Sequence, residues 1–251
     1  MSRQCLLQLS DIHIGLEGEN THSIDVRAQF LSCLQAGIKR GVDLIVVSGD
    51  IAFHAGNPEI YRWVYKQLQQ TGVPWVVIPG NHDNPEQVAT FFHQEDWYRT
   101  EQDEMYQIIQ TASRKIILLD SAKSDISTMQ YNWLHDQLEQ TTLAPLVFLH
   151  HPPTALNMNF MENPYHGPHP KLLLLIEEKA ANSHIFVGHY HIDRILCRPK
   201  STIYACPSTY FQIDPTEKSF TIESQRPGYA LIQFDKEVVM RTTHYLQTRH
   251  L

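Results

Sequence analysis

Short apolar runs alternate with amphipathic stretches through the first ninety residues. Gln4–Leu9 has the length and apolar content of a strand. After a polar loop, Ile24, Phe30, Leu31, Leu34 and Ile38 form a helical stripe, stopped by Gly41. Asp43–Val47 is a β-branched run of the kind covered on both faces of a sheet. Pro58 opens a second helix through Tyr61, Val64 and Leu68, closed by Gly72, and Trp75–Ile78 reads as a third strand. Strand, helix, strand, helix, strand at this spacing predicts a parallel sheet with right-handed crossovers.

The second half is less regular. Pro85 starts a short helix through Val88 and Phe92. Strands are predicted at Met105–Ile109, Lys115–Leu119, Leu146–Leu149 and Ser183–Val187, with helices through Met129, Trp133 and Leu138 and over Lys171–Lys179. Asn157–Pro170 has no hydrophobic period and is rich in Asn, Pro and Gly, which reads as a lid-like loop. From 194 to 251 the pattern becomes hairpin-like: Arg194–Cys197, Thr202–Cys206, Tyr229–Phe234 and Val238–Tyr245, with a tight turn at Asp235-Lys236. No repeat or linker divides the chain, so 1–251 reads as one domain.

Composition narrows the class. The 251 residues carry 42% hydrophobic and 19% charged side chains and a formal charge of −7, which argues against general affinity for nucleic acid polymers or anionic membranes. No export signal is visible at the start and no apolar run reaches membrane-spanning length, which predicts a cytoplasmic protein. The four cysteines lack CxxC spacing and read as reduced thiols; a Cys197–Cys206 pair across a hairpin is the less favoured reading.

Fifteen histidines are many for this length, and several follow strands. The strand ends carry Asp11 and His13, then Asp50, then Gly80-Asn81-His82-Asp83, then His150, then His189 and His191. Gly80 is expected to let the chain turn sharply there. Each feature alone has an ordinary explanation: Asp11 or Asp50 serves equally as a helix cap, and a lone His after a strand is usually structural. Five strand ends facing one sheet edge are different. Carboxylate, imidazole and amide donors without a thiolate suit Mn, Fe, Zn or Co, and the number of donors exceeds what one ion needs.

Asp11-x-His13, Gly49-Asp50, Gly80-Asn81-His82-Asp83, His150-His151 and Gly188-His189-x-His191 resemble, in order, the five motifs of the calcineurin-like metallophosphoesterases. The length, His150-His-Pro-Pro153 and the tail Pro207-Ser-Thr209 … Gln212 … Pro215 … Phe220 … Pro227-Gly228 are similar to the bacterial class III cyclic nucleotide phosphodiesterases. The resemblance implies an α/β fold, a four-layer α/β/β/α sandwich of two mixed sheets flanked by helices. It implies two divalent or iron-type metal ions, iron or manganese first, with zinc or cobalt as options. One ion is implied at Asp11, His13, Asp50 and His191, the other at Asp50, Asn81, His150 and His189, with Asp50 shared. Asn81, His82 and His191 are implied at the substrate, and His82 is implied as a catalytic residue oriented by Asp83.

The implied reaction is hydrolysis of 3′,5′-cyclic AMP to 5′-AMP by a hydroxide formed from water that the metals would make acidic. Nothing in the loops dictates adenine. A 2′,3′-cyclic nucleotide or a glycerophosphodiester is the enzymatic alternative, and a non-catalytic binding scaffold is the alternative of another class. His151 competes with His150 as ligand, and His54 reads equally as a supporting or an exposed loop residue. The oligomeric state is open, a homodimer included.

Overall fold

The computed structural model describes residues 3–161 and 170–247. The first half builds β1 (Gln4–Leu9), α1 (Val26–Ile38), β2 (Leu44–Ser48), α2 (Pro58–Gln69), β3 (Trp75–Ile78) and α3 (Pro85–Phe91). Asp25, Asn57 and Asn84 cap the three helices by accepting from backbone N–H groups, and Pro58 and Pro85 occupy first-turn positions where no N–H is needed. A short 3₁₀ turn, Glu95–Trp97, precedes β4 (Tyr98–Arg99), β5 (Glu104–Met105), β6 (Gln107–Gln110), β7 (Lys115–Leu118), α4 (Thr128–Glu139) and β8 (Leu146–Phe148). The rest comprises α5 (Pro170–Lys179), β9 (Ser183–Val187), β10 (Arg194–Cys197), β11 (Ser201–Ala205), β12 (Gln212–Ile213), β13 (Ile222–Ser224), β14 (Gly228–Phe234) and β15 (Val239–Tyr245).

Two mixed sheets result. One runs β15-β14-β1-β2-β3, with β1, β2 and β3 parallel. The other runs β10-β11-β9-β8-β7-β6, with β11, β9, β8 and β7 parallel. Period-two alternation sends one set of side chains into the seam between the sheets: Leu6, Val46, Val76, Ile232 and Phe234 meet Ile116, Leu118, Leu146, Phe148 and Phe186. The alternate set, including Leu7, Val47, Ile117, Val147 and Ile185, packs with Phe30, Val64, Leu68, Leu134 and Ile176 of the helices. This is the four-layer α/β/β/α sandwich that the resemblance implies, and its β1, β2 and β3 form the parallel sheet that the strand–helix spacing predicts.

Three local expectations change. Met105–Ile109 is not one strand: the chain changes partners at Tyr106, so β5 pairs with β4 and β6 joins the second sheet. The two C-terminal hairpins separate, β14–β15 extending the first sheet and β10–β11 the second. β11 is also parallel to β9, so its carboxyl end opens on the same edge as the strand ends noted above. A small hairpin, β12–β13, escaped the sequence reading because both strands are too short for a hydrophobic period. Most of the lid-like loop 157–170 lies outside the described residues. All four cysteines are free, Cys197 exposed and Cys206 buried.

Candidate metal centre

The carboxyl ends of β1, β2, β3, β8 and β9 bring six imidazoles and two carboxylates together at the mouth of the seam. Donor atoms of Asp11, His13 and His191 lie within 4.8 Å of one another, as do those of Asp11, Asp50 and His150, of His13, Asp50 and His82, and of His150, His151 and His189. Asp50 is the hub. Its Oδ2 is 3.3 Å from His150 Nε2, 3.7 Å from His13 Nε2 and 3.9 Å from His82 Nε2. Asp11 Oδ1 is 3.4 Å from His191 Nε2 and 3.9 Å from His150 Nε2. Both carboxylates therefore reach two clusters.

The backbone is bent to make this possible. Asp11, His13, Asp50, His189 and His191 all have positive φ, between 42° and 67°. Left-handed backbone is uncommon outside glycine, although Asp and His enter it more readily than most residues, and these five fall on the convergent side chains. The motif glycines provide space. A Cβ on Gly49 would strike the His150 ring, one on Gly80 the Asp50 backbone and carboxylate, and one on Gly188 the Ser10 hydroxyl. Only Gly49 of the three is left-handed, at φ 95°. Gly80 is thus needed for close approach to Asp50 and not for the sharp turn expected.

Backbone carbonyls fix the ring orientations. His150 Nδ1 donates to Ser48 O at 2.9 Å, His191 Nδ1 to Phe211 O at 3.0 Å and His82 Nδ1 to Phe53 O at 2.7 Å. Each leaves Nε2 facing the cluster, the arrangement that prepares a histidine to bind a cation. Among the described residues His150 Nε2 is buried with no well-aligned hydrogen-bond partner, Asp50 Oδ2 facing it at 3.3 Å. Burial alone pushes the Asp50 carboxyl up, but the facing His150, His13 and His82 rings bring it well below the usual range. Asp11 is likewise lowered, by His191 and His150 acting against burial. Burial lowers His13 and His151 to about 3, while the charges of Asp50 and Asp11 outweigh burial at His150 and raise it to about 9. Two buried anions beside the His13, His151 and His189 imidazoles, which burial holds neutral, make a donor set that fits hard to borderline divalent cations.

The predicted residues divide as follows. Asp11, His13, Asp50, His150, His189 and His191 converge. Asn81 begins the loop after β3 and is exposed. His82 joins the His13–Asp50 cluster, closer to the centre than the resemblance implies. His151 sits beside His189, ring centroids 4.3 Å apart, with Nδ1 3.2 Å from the Ser121 hydroxyl. His54 is an exposed loop residue facing Glu19 at 3.4 Å.

Asp83 is a correction. Its carboxylate does not orient His82, whose ring is held by Phe53 O. It accepts instead from the N–H groups of Ile51, Ala52 and Gly80 and from the Tyr61 hydroxyl. Burial and the charge of Asp50 push it up to about 6 against those N–H groups. The sequence also gave no sign of the carbonyls of Ser48, Phe53 and Phe211 as ring holders, since main-chain acceptors carry no residue signature. Ser208, which donates to Asp11 O at 2.8 Å, was within reach: it follows a strand end, but that strand read as half of a hairpin.

A family profile described as calcineurin-like phosphoesterase matches residues 6–193. The chain belongs to that family. Among relatives of this phosphoesterase, a probable cyclic nucleotide phosphodiesterase of Fibrobacter succinogenes is 33% identical over 242 residues, covering 96% of this chain and 93% of that protein. A probable glycerophosphodiester phosphodiesterase of Arcobacter nitrofigilis is 31% identical over 166 residues, 62% of this chain and 60% of that protein. A dimetal phosphatase from Danio rerio shares the fold, with a TM-score of 0.64 at 13% identity, covering 96% of this chain and 98% of that one. Among the described residues no helix is long and apolar enough to cross a membrane.

Proposed function

We propose that this phosphoesterase hydrolyses 3′,5′-cyclic nucleotides in the cytoplasm, with cyclic AMP giving 5′-AMP, at a centre for two iron or manganese ions. The observation that carries the reading is the position of Asp50, whose single carboxylate oxygen lies within 3.9 Å of His13, His82 and His150. It can serve two neighbouring ions, with Asp11, His13 and His191 around one and Asn81, His150 and His189 around the other. Bound there, such ions reverse the negative field of the carboxylates toward a phosphate and make water acidic near neutral pH. The protein supplies orientation. Carbonyl-held imidazoles stay fixed while charge develops, so little reorganisation is needed during reaction. His82, with its Nδ1–H committed to Phe53 O, offers only Nε2 to the site; as the imidazolium it would pass the Nε2 proton to the leaving 3′ oxygen and remain as the neutral ring with Nδ1–H on Phe53 O.

The 31% identical glycerophosphodiester relative favours one alternative, since the centre recognises phosphate and not what is esterified to it. A turnover panel decides: 3′,5′-cyclic AMP, 2′,3′-cyclic AMP and glycerophosphoethanolamine, with metal analysis on the same preparation. The highest kcat/KM on 3′,5′-cyclic AMP with close to two metals per chain is expected. A preference for glycerophosphoethanolamine overturns the substrate, and no turnover in a metal-replete sample overturns the enzyme.

A further inference from the structure

The candidate metal centre adjoins aromatic rings that its chemistry does not use. The Phe211 ring centroid is 4.9 Å from that of His191, and Tyr210 is 5.6 Å from His13. Tyr210 and Phe211 lie 4.1 Å apart. From them the rings continue outward to Phe53, His22, Phe220 and Phe160: Phe53–Tyr210 is 6.0 Å, His22–Phe211 6.0 Å, Phe211–Phe220 5.6 Å and Phe160–Phe220 6.0 Å. The inner rings are buried, His22 is exposed, and Phe220 is 43% exposed.

The wall is held in place. Its rings stand on the loops after β1, β2, β8 and β11, and on the turn between β12 and β13. Asn159 ties two of these together, its N–H donating to Pro215 O at 3.2 Å and its amide to Thr216 O at 2.7 Å. Gln212 donates to Ser208 O and Arg226 O, fixing the base of the β12–β13 hairpin. Arg194 donates to Leu156 O and Asn157 O and anchors the segment that carries Phe160. A surface ordered before binding loses little entropy on binding.

The chemistry points to one kind of occupant. Five of the six rings are Phe or Tyr, and among the described residues the Tyr210 hydroxyl is buried with no hydrogen-bond partner. Planar aromatic rings offer faces for stacking, and every nucleobase has a face to stack. We propose that this wall, with Phe220 as its exposed platform, holds the nucleobase of the substrate and selects base-bearing phosphodiesters over glycerol diesters. The inference rests on the phosphodiesterase reading of the adjacent centre and adds the group that the centre itself cannot recognise.

Equilibrium binding tests it without turnover. Metal-loaded protein is titrated calorimetrically with 5′-AMP, ribose 5-phosphate and phosphocholine. AMP is expected to bind at least about tenfold more tightly than ribose 5-phosphate, from stacking of one base. In Phe220→Ala that ratio should fall by about 5- to 100-fold, and Phe220→Trp should restore it. Equal affinities for AMP and ribose 5-phosphate in the unaltered protein, or an unchanged ratio in Phe220→Ala, overturn the proposal. Phosphocholine binding as tightly as AMP also overturns it, since the rings would then be a cage for a quaternary ammonium. A Phe220-dependent preference for AMP in a protein that fails to hydrolyse cyclic AMP supports the wall and removes only the proposed substrate.

Discussion

His82 illustrates how a residue's role follows from which of its atoms is already occupied. Nδ1 is bound to Phe53 O at 2.7 Å, so the ring cannot turn to offer it elsewhere, and Nε2 stands 3.9 Å from Asp50 Oδ2. In the proposed reaction the cationic ring would give its Nε2 proton to the leaving oxygen. A ribose 3′ oxygen needs such help, because its alcohol has a pKa of about 12 or higher, whereas p-nitrophenolate leaves without it. His82→Ala is therefore expected to lose about 10²–10⁴-fold in cyclic AMP turnover and much less on a p-nitrophenyl phosphodiester, with metal content unchanged. Both rates are measured on one metal-saturated preparation. Equal losses on the two substrates would assign the ring to charge stabilisation instead, and loss of a metal would make it a ligand, as its place in the His13–Asp50 cluster allows.

At the scale of elements, the strand-end loops are what the sequence shows best and explains least. The regular parts of β1, β2, β3, β8 and β9 are legible because period and β-branched content mark them, and the polar residues after them are visible because loops there should not be so rich in ligand types. How those loops are bound together is not legible, because it runs through main-chain groups. Asp83 is the clearest instance. Read beside His82 it suggests a partner for the imidazole, yet it ties the loop after β2, through Ile51 and Ala52, to Gly80 after β3 and to Tyr61 of α2. Tyr61 O–H in turn accepts from Asn84 N–H at 3.1 Å, just where α3 begins. Asp83→Ala leaves three N–H groups and a hydroxyl without their acceptor. It is expected to cost about 2–5 kcal/mol in urea unfolding, from the loss of several hydrogen bonds to one carboxylate. Unchanged stability combined with a shifted ratio of cyclic AMP to p-nitrophenyl diester turnover would return Asp83 to the role of orienting His82.

Across the whole molecule, two kinds of contact hold the sheets face to face, at opposite ends of the seam. Phe234, fully buried, lies where β14 pairs with the start of β1, opposite Gln4. The candidate metal centre lies at the other end, where the first sheet contributes Asp11, His13 and Asp50 and the second His150, His189 and His191. Even without cations the two sheets touch there through polar groups: His150 donates to Ser48 O, and His189 N–H donates to the Asp11 carboxylate at 3.0 Å. Ions bound by residues from both sheets should therefore staple the seam, raising stability by about 4 kcal/mol at a thousandfold excess over Kd. Packing at the far end should add to this independently, since distant sites combine nearly additively. Thermal unfolding with and without chelator separates the two. Phe234→Ala is expected to lose about 3–5 kcal/mol in both conditions and to keep the metal-dependent increment within about 0.5 kcal/mol. Asp50→Ala removes the carboxylate shared by three histidines and is expected to abolish the increment along with both metals and activity. An increment that survives in Asp50→Ala would mean that the stabilising ion binds elsewhere. One that vanishes in Phe234→Ala would mean that the seam responds as a single unit, with the metal centre dependent on packing at its far end.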